Sequence, residues 1–593
     1  MDNEYIYEFL SKKMKTTIIY CGIPFLISFA TASGELNENF YIKLFVFELL
    51  FVLMYFLYIS RVRHSLNNSA LLSVSFADVM ALALLGLYLY YCIGYCNIID
   101  HSLPLTYFLF YFFIRFCGKV ESFDVLSDIA LIIILLHLLW CLLQYVEVLP
   151  NNNRYFKVAS SFGNPDMLSA FLAVLLPLCY QGSKWKVLRI LILVLTIGLF
   201  FFLQARTAIV ASMITLLIYY FSKRSVPKIY IIIAVVAMVL GVVLLIFWYN
   251  KSVLGRFYIW IVSLSMLLGK PFGWGLYAYE KYYPEYQSKF TMENPDIVNL
   301  LNYDVVHSPY NEFLNVAVCL GIVGLLLYLM FVVYILISAY KTKSFLFFPL
   351  LTFQVVSLSY FPFKIIPLTV VYLLCSALVV SVNKNCLYQL LVSVKLLRRI
   401  SFCIVSVVLI CFMSNLYGFN YWRKAIGQSA NHETFSLAAA SFEKCFPFLS
   451  GNGRFLISYA ELLYRMRNEQ ESFILMHRAE KYFSDINFLH DLAVVYEMEG
   501  DMYAAKNKFN MAVNMSPDNI RIAFAQIQFL DRIGETEEVY RLTKLLIDKI
   551  KKKKNQDPQE RLILKSMNKY LDISQHKFQE ATNNVDISLI DVY

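Results

Sequence analysis

Apolar runs broken by short polar loops make up most of the first 420 residues. About thirteen of these runs reach or approach the roughly 18–20 residues that cross about 30 Å of hydrocarbon. They lie near 17–32, 41–60, 70–95, 104–118, 125–149, 165–181, 187–204, 206–222, 229–249, 310–338, 345–361, 363–382 and 400–417. Backbone amides in lipid must find partners inside their own segment, so runs of this length are expected to be helices. The alternating pattern of a membrane barrel is absent. The expectation is an all-α, polytopic domain over 1–419 with 12–13 spans. Its longest polar interruption is a loop at about 250–309, which separates the ninth and tenth runs.

The pattern changes after Asn420: long apolar runs end, and charge and helix formers rise. The stretch INFLHDLAVVYEMEGDMYAAKNKFNMAVNMSPDN places Leu489, Leu492, Ala493, Tyr496, Gly500, Ala505, Phe509, Ala512 and Pro517 at tetratricopeptide positions. Small residues there let two antiparallel helices approach, and Pro stops the second. Weaker copies precede it at Tyr459, Ala460, Met476 and Ala479, and follow it at Ala523 and Gly534. Residues 420–593 therefore resemble an α-solenoid of tetratricopeptide type. Such a unit serves either as a binding groove for a protein partner or as a cap on the membrane domain.

Composition supports the membrane reading: 59% of the 593 residues are hydrophobic and 16% charged, against roughly 25% charged in soluble domains. The net charge of +10 does not indicate nucleic-acid binding, because the Lys and Arg residues lie mostly in short loops and report topology. With the N-terminus inside, the inner loops hold Arg61 and Arg63, Lys184, Lys186 and Arg189, Lys223, Arg224 and Lys228, Lys341 and Lys343, and Lys384, Lys395, Arg398 and Arg399. The outer loops near 33–39, 97–100 and 361–364 hold little charge. This layout puts the 250–309 loop and everything after the last span outside. Lys12, Lys13 and Lys15 precede an apolar run and Ala30-Thr31-Ala32, the outline of a signal peptide. Because more spans follow, an uncleaved first helix is expected. The 12 Cys show no metal-type spacing and read as small buried hydrophobes. No metal and no cofactor are expected. Lys551–Lys554 form a basic run, read as a solvated linker or a contact for anionic lipid.

The candidate chemistry lies at the outer ends of the runs. His307 sits just before the 310–338 run, and an unperturbed imidazole exchanges a proton near pH 6.5. Ser308 and Pro309 suit a helix start, which would put Asn311 and Glu312 in the first turn, able to orient an imidazole or a sugar hydroxyl. Arg206 and Arg256 are outer arginines that depart from the inner bias. Their planar forks suit phosphate oxygens, and together they would clamp a diphosphate, with Lys270 as a further cation. Residues 255–270 can lie in the membrane interface with Phe257, Trp260 and Ile261 turned to lipid. Pro271 then stops the helix, and Gly273-Trp274-Gly275 makes a tight turn. Trp274 and its Tyr neighbours suit sugar stacking or a headgroup belt. Around Asn151, the residues Arg154, Lys157, Ser160, Ser161, Gly163, Asn164 and Pro165 can line a polar entrance. Glu48 and Asp78 are acids within apolar runs.

In order along the chain, SSFGNPDMLSAFLAVLLPL, QARTAIVASMITLL, GRFYIWIVSLSMLLGKPFGWG and HSPYNEFLNVAVCLGIVG resemble the O-antigen ligase and polymerase superfamily of bacterial membrane glycosyltransferases. The resemblance covers roughly 150–340. It implies a GT-C-like helical fold and an undecaprenyl-diphosphate-linked glycan donor. It also implies metal-independent, inverting transfer to an acceptor hydroxyl. Carried over, Arg206 and Arg256 would hold the diphosphate, and His307 would act as general base on the acceptor hydroxyl or position it; Asn164, Lys270, Trp274, Asn311 and Glu312 are candidate substrate contacts by their own chemistry. Three departures stand out. Cys319 occupies a position where many members carry Glu, Asp166 replaces an Asn, and Ala205 precedes Arg206 where Ser is usual. The acceptor is lipid A core for a ligase, a repeat-unit glycan for a polymerase, or a protein side chain for an oligosaccharyltransferase. The His307 segment favours the ligase. The competing class is a membrane transporter, which would show paired halves and broken helices, or a glycan-assembly scaffold.

Overall fold

The structure is a computed structural model. It describes residues 22–32, 38–62, 69–92, 98–117, 123–151, 156–179, 184–223, 250–276, 278–294, 306, 308–383, 386–552, 558, 560–568 and 570–571. The expected span at 229–249, residues 17–21 of the expected run 17–32, Arg154 and His307 lie outside the described residues.

In chain order, the elements are α1 (Glu38–Val62), β1 (Ser69–Val74), α2 (Phe76–Cys92), α3 (Ile98–Cys117), α4 (Phe123–Tyr145), α5 (Pro165–Cys179), α6 (Lys186–Phe202) and α7 (Arg206–Lys223). Next come α8 (Asn250–Gly269), α9 (Tyr283–Glu293), α10 (Glu312–Lys341), α11 (Phe347–Ser357), α12 (Ile366–Val382), β2 (Tyr388–Ser393) and α13 (Val394–Gln428). Then follow α14 (Phe435–Leu449), α15 (Gly453–Arg465), α16 (Glu469–Ala479), α17 (Ile486–Met498), α18 (Met502–Met515), α19 (Ile520–Arg532) and α20 (Thr536–Lys552). Among the described residues, four helices are long and apolar enough to cross a membrane: α1, α4, α10 and α13. The helices α2, α3, α5, α7, α8, α11 and α12 are apolar but shorter. The protein is thus an all-α, multi-pass membrane protein.

Two compact units form, and they do not follow the chain. The first comprises residues 1–249, 270–276 and 308–451, and the second 250–269, 277–307 and 452–593. The change of composition near Asn420 falls inside α13, a single helix of 35 residues. At 1.5 Å per residue that is about 52 Å, more than the roughly 30 Å of hydrocarbon, so apolar and polar turns share one rod. α14 packs back along it.

In the first unit, hydrogen bonds fix the direction of the helices. The Ser127 hydroxyl near the start of α4 donates to Leu178 O at the end of α5 (2.7 Å). Thr207 at the start of α7 meets Ser359, just past α11 (3.2 Å). Asn383 after α12 donates to Ser338 near the end of α10 (2.9 Å). One end of the bundle, here called the upper end, therefore carries the starts of α5, α7, α10 and α12. The lower end carries Lys186, Lys341, Lys343, Lys395 and Arg398.

The run expected as one span at 70–95 divides in two. Ser75 and Asp78 form a capping box: Asp78 accepts from the Ser75 amide (2.8 Å) and hydroxyl (2.9 Å), and the Ser75 hydroxyl accepts from the Asp78 amide (3.3 Å). That box starts α2 at Phe76 and frees Ser69–Val74 to pair antiparallel with β2. Arg115 (3.3 Å) and Tyr111 (3.0 Å) complete the shell around Asp78. Glu48 is likewise satisfied: Asn415 donates to it at 3.0 Å, and also to the Ser102 hydroxyl at 2.8 Å. Both buried acids are thus parts of structural networks.

α10 is broken at Gly321 (φ 74, ψ −177). A break inside an apolar helix exposes backbone groups that lipid cannot satisfy. The 270–276 segment supplies the partners. The Trp274 amide donates to Val318 O and the Gly275 amide to Cys319 O, each at 2.9 Å, while the Ile322 amide donates to Pro271 O at 2.9 Å. The approach needs glycine on both sides. A Cβ on Gly273 would lie 2.6 Å from Cys319 O, and one on Gly321 would lie 2.3 Å from the Phe272 carbonyl carbon. Both residues also have positive φ. The Tyr91 hydroxyl adds a bond to Phe272 O.

Gly273→Ala should therefore lower stability by on the order of 3 kcal/mol, read as a reduced thermal midpoint of the detergent-solubilised protein. Gly427→Ala, where a Cβ meets nothing within 4 Å, should leave the midpoint unchanged or raise it. Equal midpoints for the two variants would mean that the clasp admits a methyl group.

Candidate functional site

At the upper end of the first unit, asparagines cap two helix starts, Asn164 that of α5 and Asn311 that of α10. Asn164 accepts from the Asp166 amide at 2.8 Å, and its own carbonyl accepts from Leu168 at 3.2 Å. Gly163 before it is left-handed (φ 69), and Pro165 occupies the first position of α5. The Gly-Asn-Pro-Asp stretch thus starts a helix, and the Asn164 side chain is engaged as its cap.

The turn before it, Ser160–Phe162, is held by a buried polar lattice. Gln144 accepts from the Ala159 (3.0 Å) and Ser160 (2.7 Å) amides. His137 bridges the hydroxyls of Ser160 (2.8 Å) and Ser28 (3.0 Å). Asn39 donates to Phe162 O at 2.9 Å. The Lys43 ammonium bonds Ala30 O and stands 4.9 Å from the Phe162 ring centroid. Sequence reading found none of these roles; the only signal was polar residues set inside apolar runs. On the neighbouring loop, Lys157 pairs with Glu147 at 2.7 Å. That bond holds the Glu147 carboxyl below its usual range and raises the Lys157 ammonium.

Arg206 is the first residue of α7. The preceding turn closes through left-handed Gln204 (φ 54) and an Ala205 amide bond to Phe200 O (2.9 Å). Thr207 then joins Ser359 in the α11–α12 turn. The same turn reaches α10. Phe361 packs edge-on to Tyr310 with ring centroids 5.4 Å apart, and the Phe363 amide donates to Glu312 at 3.5 Å. One turn of chain, 359–364, therefore links the start of α7 to the start of α10.

Glu312 is 1% exposed. The Asn315 amide donates to it at 2.7 Å, and the Cys319 thiol donates to Asn315 at 3.7 Å. Glu312, Asn315 and Cys319 form a polar ladder up one face of the helix. Lys364 acts electrostatically on both Glu312 and Cys319. Its signal in the sequence was a lysine in a turn of the side otherwise poor in cations. The helix start differs from expectation: Asn311, not Ser308, is the cap, accepting from Leu314 at 3.0 Å. Tyr310 is left-handed (φ 51), so the chain after Pro309 cannot yet be helical, and Glu312 opens the helix.

Lys270 and Trp274 lie together on the clasp, with the Lys270 ammonium 5.2 Å from the Trp274 ring centroid. The Gly-Trp-Gly turn is closed against α10, so its amides serve the broken helix. Arg256 belongs to the second unit, on α8, one turn before Trp260. The buried face of α8 carries Tyr258, Ile259, Val262, Ser263 and Met266, with Tyr258 bonded to Thr291 of α9 at 3.2 Å. Phe257 and Ile261 sit on the opposite stripe, about half exposed. Of the expected site residues, the structure thus holds Asn164, Arg206, Lys270, Trp274, Asn311 and Glu312 in one unit and Arg256 in the other. His307 is outside the described residues.

Fold and composition define the class, a helical multi-pass membrane protein. Within that class, residues 191–329 match the family model of the O-antigen ligase. The matched stretch contains Arg206, Arg256, Lys270, Trp274, His307, Asn311 and Glu312. No curated protein matches the chain. The match supports glycan transfer of the O-antigen ligase type, with a glycan or lipid-linked substrate.

Proposed function

We propose that the protein transfers a glycan from undecaprenyl diphosphate to an acceptor hydroxyl, with lipid A core as the acceptor, on the periplasmic face of a bacterial inner membrane. The observation that carries this is the family match over 191–329, which spans both candidate diphosphate arginines and the candidate base. The charge asymmetry supports the orientation, since the basic loops lie at the end opposite Arg206 and Glu312.

In the mechanism, the guanidinium forks of Arg206 and Arg256 hold the donor diphosphate. His307 takes the proton of the acceptor hydroxyl as its oxygen attacks the anomeric carbon from the face opposite the diphosphate. The sugar–phosphate C–O bond breaks, undecaprenyl diphosphate departs with the bonding electrons, and the anomeric centre inverts. The arginines meet the charge that grows on the leaving oxygen. Lys364 adds positive charge beside the start of α10. Glu312, fixed by Asn315 and the Phe363 amide, orients polar groups of the acceptor together with Asn311. No metal enters this sequence of events. The C-terminal helix hairpins are read as a tetratricopeptide-type solenoid.

A transport reading would draw on the broken α10. The two carbonyls freed at that break already accept amides of Trp274 and Gly275, so the break is filled with protein.

With the protein still inserted, His307→Ala should reduce transfer from a lipid-linked glycan by about 10²–10⁴-fold; normal transfer would remove His307 from the chemistry. Arg256→Lys, which keeps charge but loses the fork, should lower the rate by about 10²-fold, and chelator should have no effect. In a strain lacking the protein, unligated full-length glycan is expected. Single repeat units on the core would instead mean a polymerase, and loss of glycan from proteins an oligosaccharyltransferase.

A further inference from the structure

The second unit contains, besides its helix hairpins, a piece of the membrane loop. After the clasp the chain forms a π-helical turn, Ala278–Tyr282, and then α9. One face of this segment, formed by Tyr283, Gln287, Ser288 and Thr291, is buried, with Gln287 only 1% exposed. α9 packs against α18.

The bonds fall at one edge of the hairpin array. The Ser484 amide, between α16 and α17, donates to Glu280 O at 2.7 Å. The Lys281 ammonium donates to Glu480 O, at the C-terminal cap of α16. The Gln287 side-chain amide donates to Met515 O, the last residue of α18, at 3.0 Å. Two of the three bonds therefore end on C-terminal carbonyls that a helix leaves without internal partners. The third ends in the loop between those hairpins. A cation and an amide are the side chains suited to such carbonyls.

A charged network reinforces the edge. The Glu480 carboxylate accepts from Lys508 at 2.5 Å and from the Tyr496 hydroxyl at 3.1 Å. Burial alone would raise the Glu480 carboxyl, but Lys508 and Lys281 outweigh it and hold it below its usual range. Burial lowers the Lys281 ammonium against the pull of Glu480. Lys281 is thus bound twice, through the Glu480 carbonyl and through its charge.

We propose that the hairpin array is a clamp acting in cis: the edge formed by the ends of α16 and α18 takes as its ligand the 278–293 segment of the protein's own membrane loop. Lys281 and Gln287 are then positioning residues for transfer, a consequence that rests on the glycan-transfer reading. This segment lies in the chain between Arg256 and His307, the two residues whose placement the reaction needs most. Fixing it lowers the cost of ordering the loop in each catalytic cycle. An outside protein that used the same edge would have to displace α9.

The test compares full-length wild type with Lys281→Met, Gln287→Leu and Lys281→Arg in detergent or nanodiscs. Amide hydrogen exchange of 278–293 and of α15 is measured alongside kcat and KM for lipid-linked donor. In Lys281→Met and Gln287→Leu, exchange in 278–293 should rise on the order of tenfold, the effect of losing a hydrogen bond. Exchange in α15 should stay constant. In the same variants kcat should fall about as much, with KM little changed, and Lys281→Arg should restore both exchange and kcat. Unchanged exchange in both loss variants would overturn the clamp. Faster exchange with wild-type kcat would overturn the positioning role. A wild-type protein without transfer would sink the glycan-transfer reading and the positioning role with it, while the exchange comparison would still decide the clamp.

Discussion

The fold depends on the backbone pairing between the 270–276 segment and the break in α10. Inside hydrocarbon, an unpaired amide or carbonyl costs several kcal/mol, and interrupting a helix creates several at once. At Gly321 those groups are returned to partners by Trp274, Gly275 and Pro271. The pairing in turn fixes the course of the chain. Residues 270–276 belong to the first unit while both flanks belong to the second. Gly273 and Gly321 are needed because two main chains approach closer there than any Cβ allows.

The same economy of polar groups governs the upper end. Asn164, Asn311, Gln144 and His137 all satisfy backbone or hydroxyl partners, so they hold helix starts in place. With α5, α7, α10 and α12 all beginning at this end, the positive ends of four helix dipoles converge there. Arg206 and Lys364 add full charges to that field. An anion approaching this end meets a positive potential from fixed dipoles and from side chains anchored by the 359–364 turn. Such a field suits an anionic group, as the proposed diphosphate donor would bring.

Much of this could be read in the sequence. The length and spacing of the apolar runs gave the helical membrane class, because lipid leaves the backbone few choices. The glycines of Gly273-Trp274-Gly275 were legible as a tight turn. Their purpose was not, since it depends on a contact between residues about fifty positions apart. The strand at Ser69–Val74 was hidden because its residues are as apolar as a span; only the Ser75–Asp78 box marked the boundary. The composition change at Asn420 suggested a domain edge, but α13 carries an apolar and a polar portion in one helix, which local composition cannot separate. Lys364 was obscured because its turn reads as short and nearly uncharged, and its proximity to Glu312 arises only when α10 and α12 lie side by side.

Position 319 shows how a departure from a family pattern can be absorbed. The resemblance sets a carboxylate there, two turns below Glu312 on the same face. In this chain the side chain is a thiol that donates to Asn315, while the main-chain carbonyl of the same residue accepts the Gly275 amide at the break. A carboxylate at 319 would be an acceptor facing Asn315 Oδ1, so the amide would have to turn over and take its N–H from Glu312. With Cys319 the ladder runs one way, thiol to amide to carboxylate, and Glu312 is its only acid. The ladder's carboxylate thus stands at the end of the helix where Lys364 and Arg206 lie, and the main chain of the residue at the break serves the backbone.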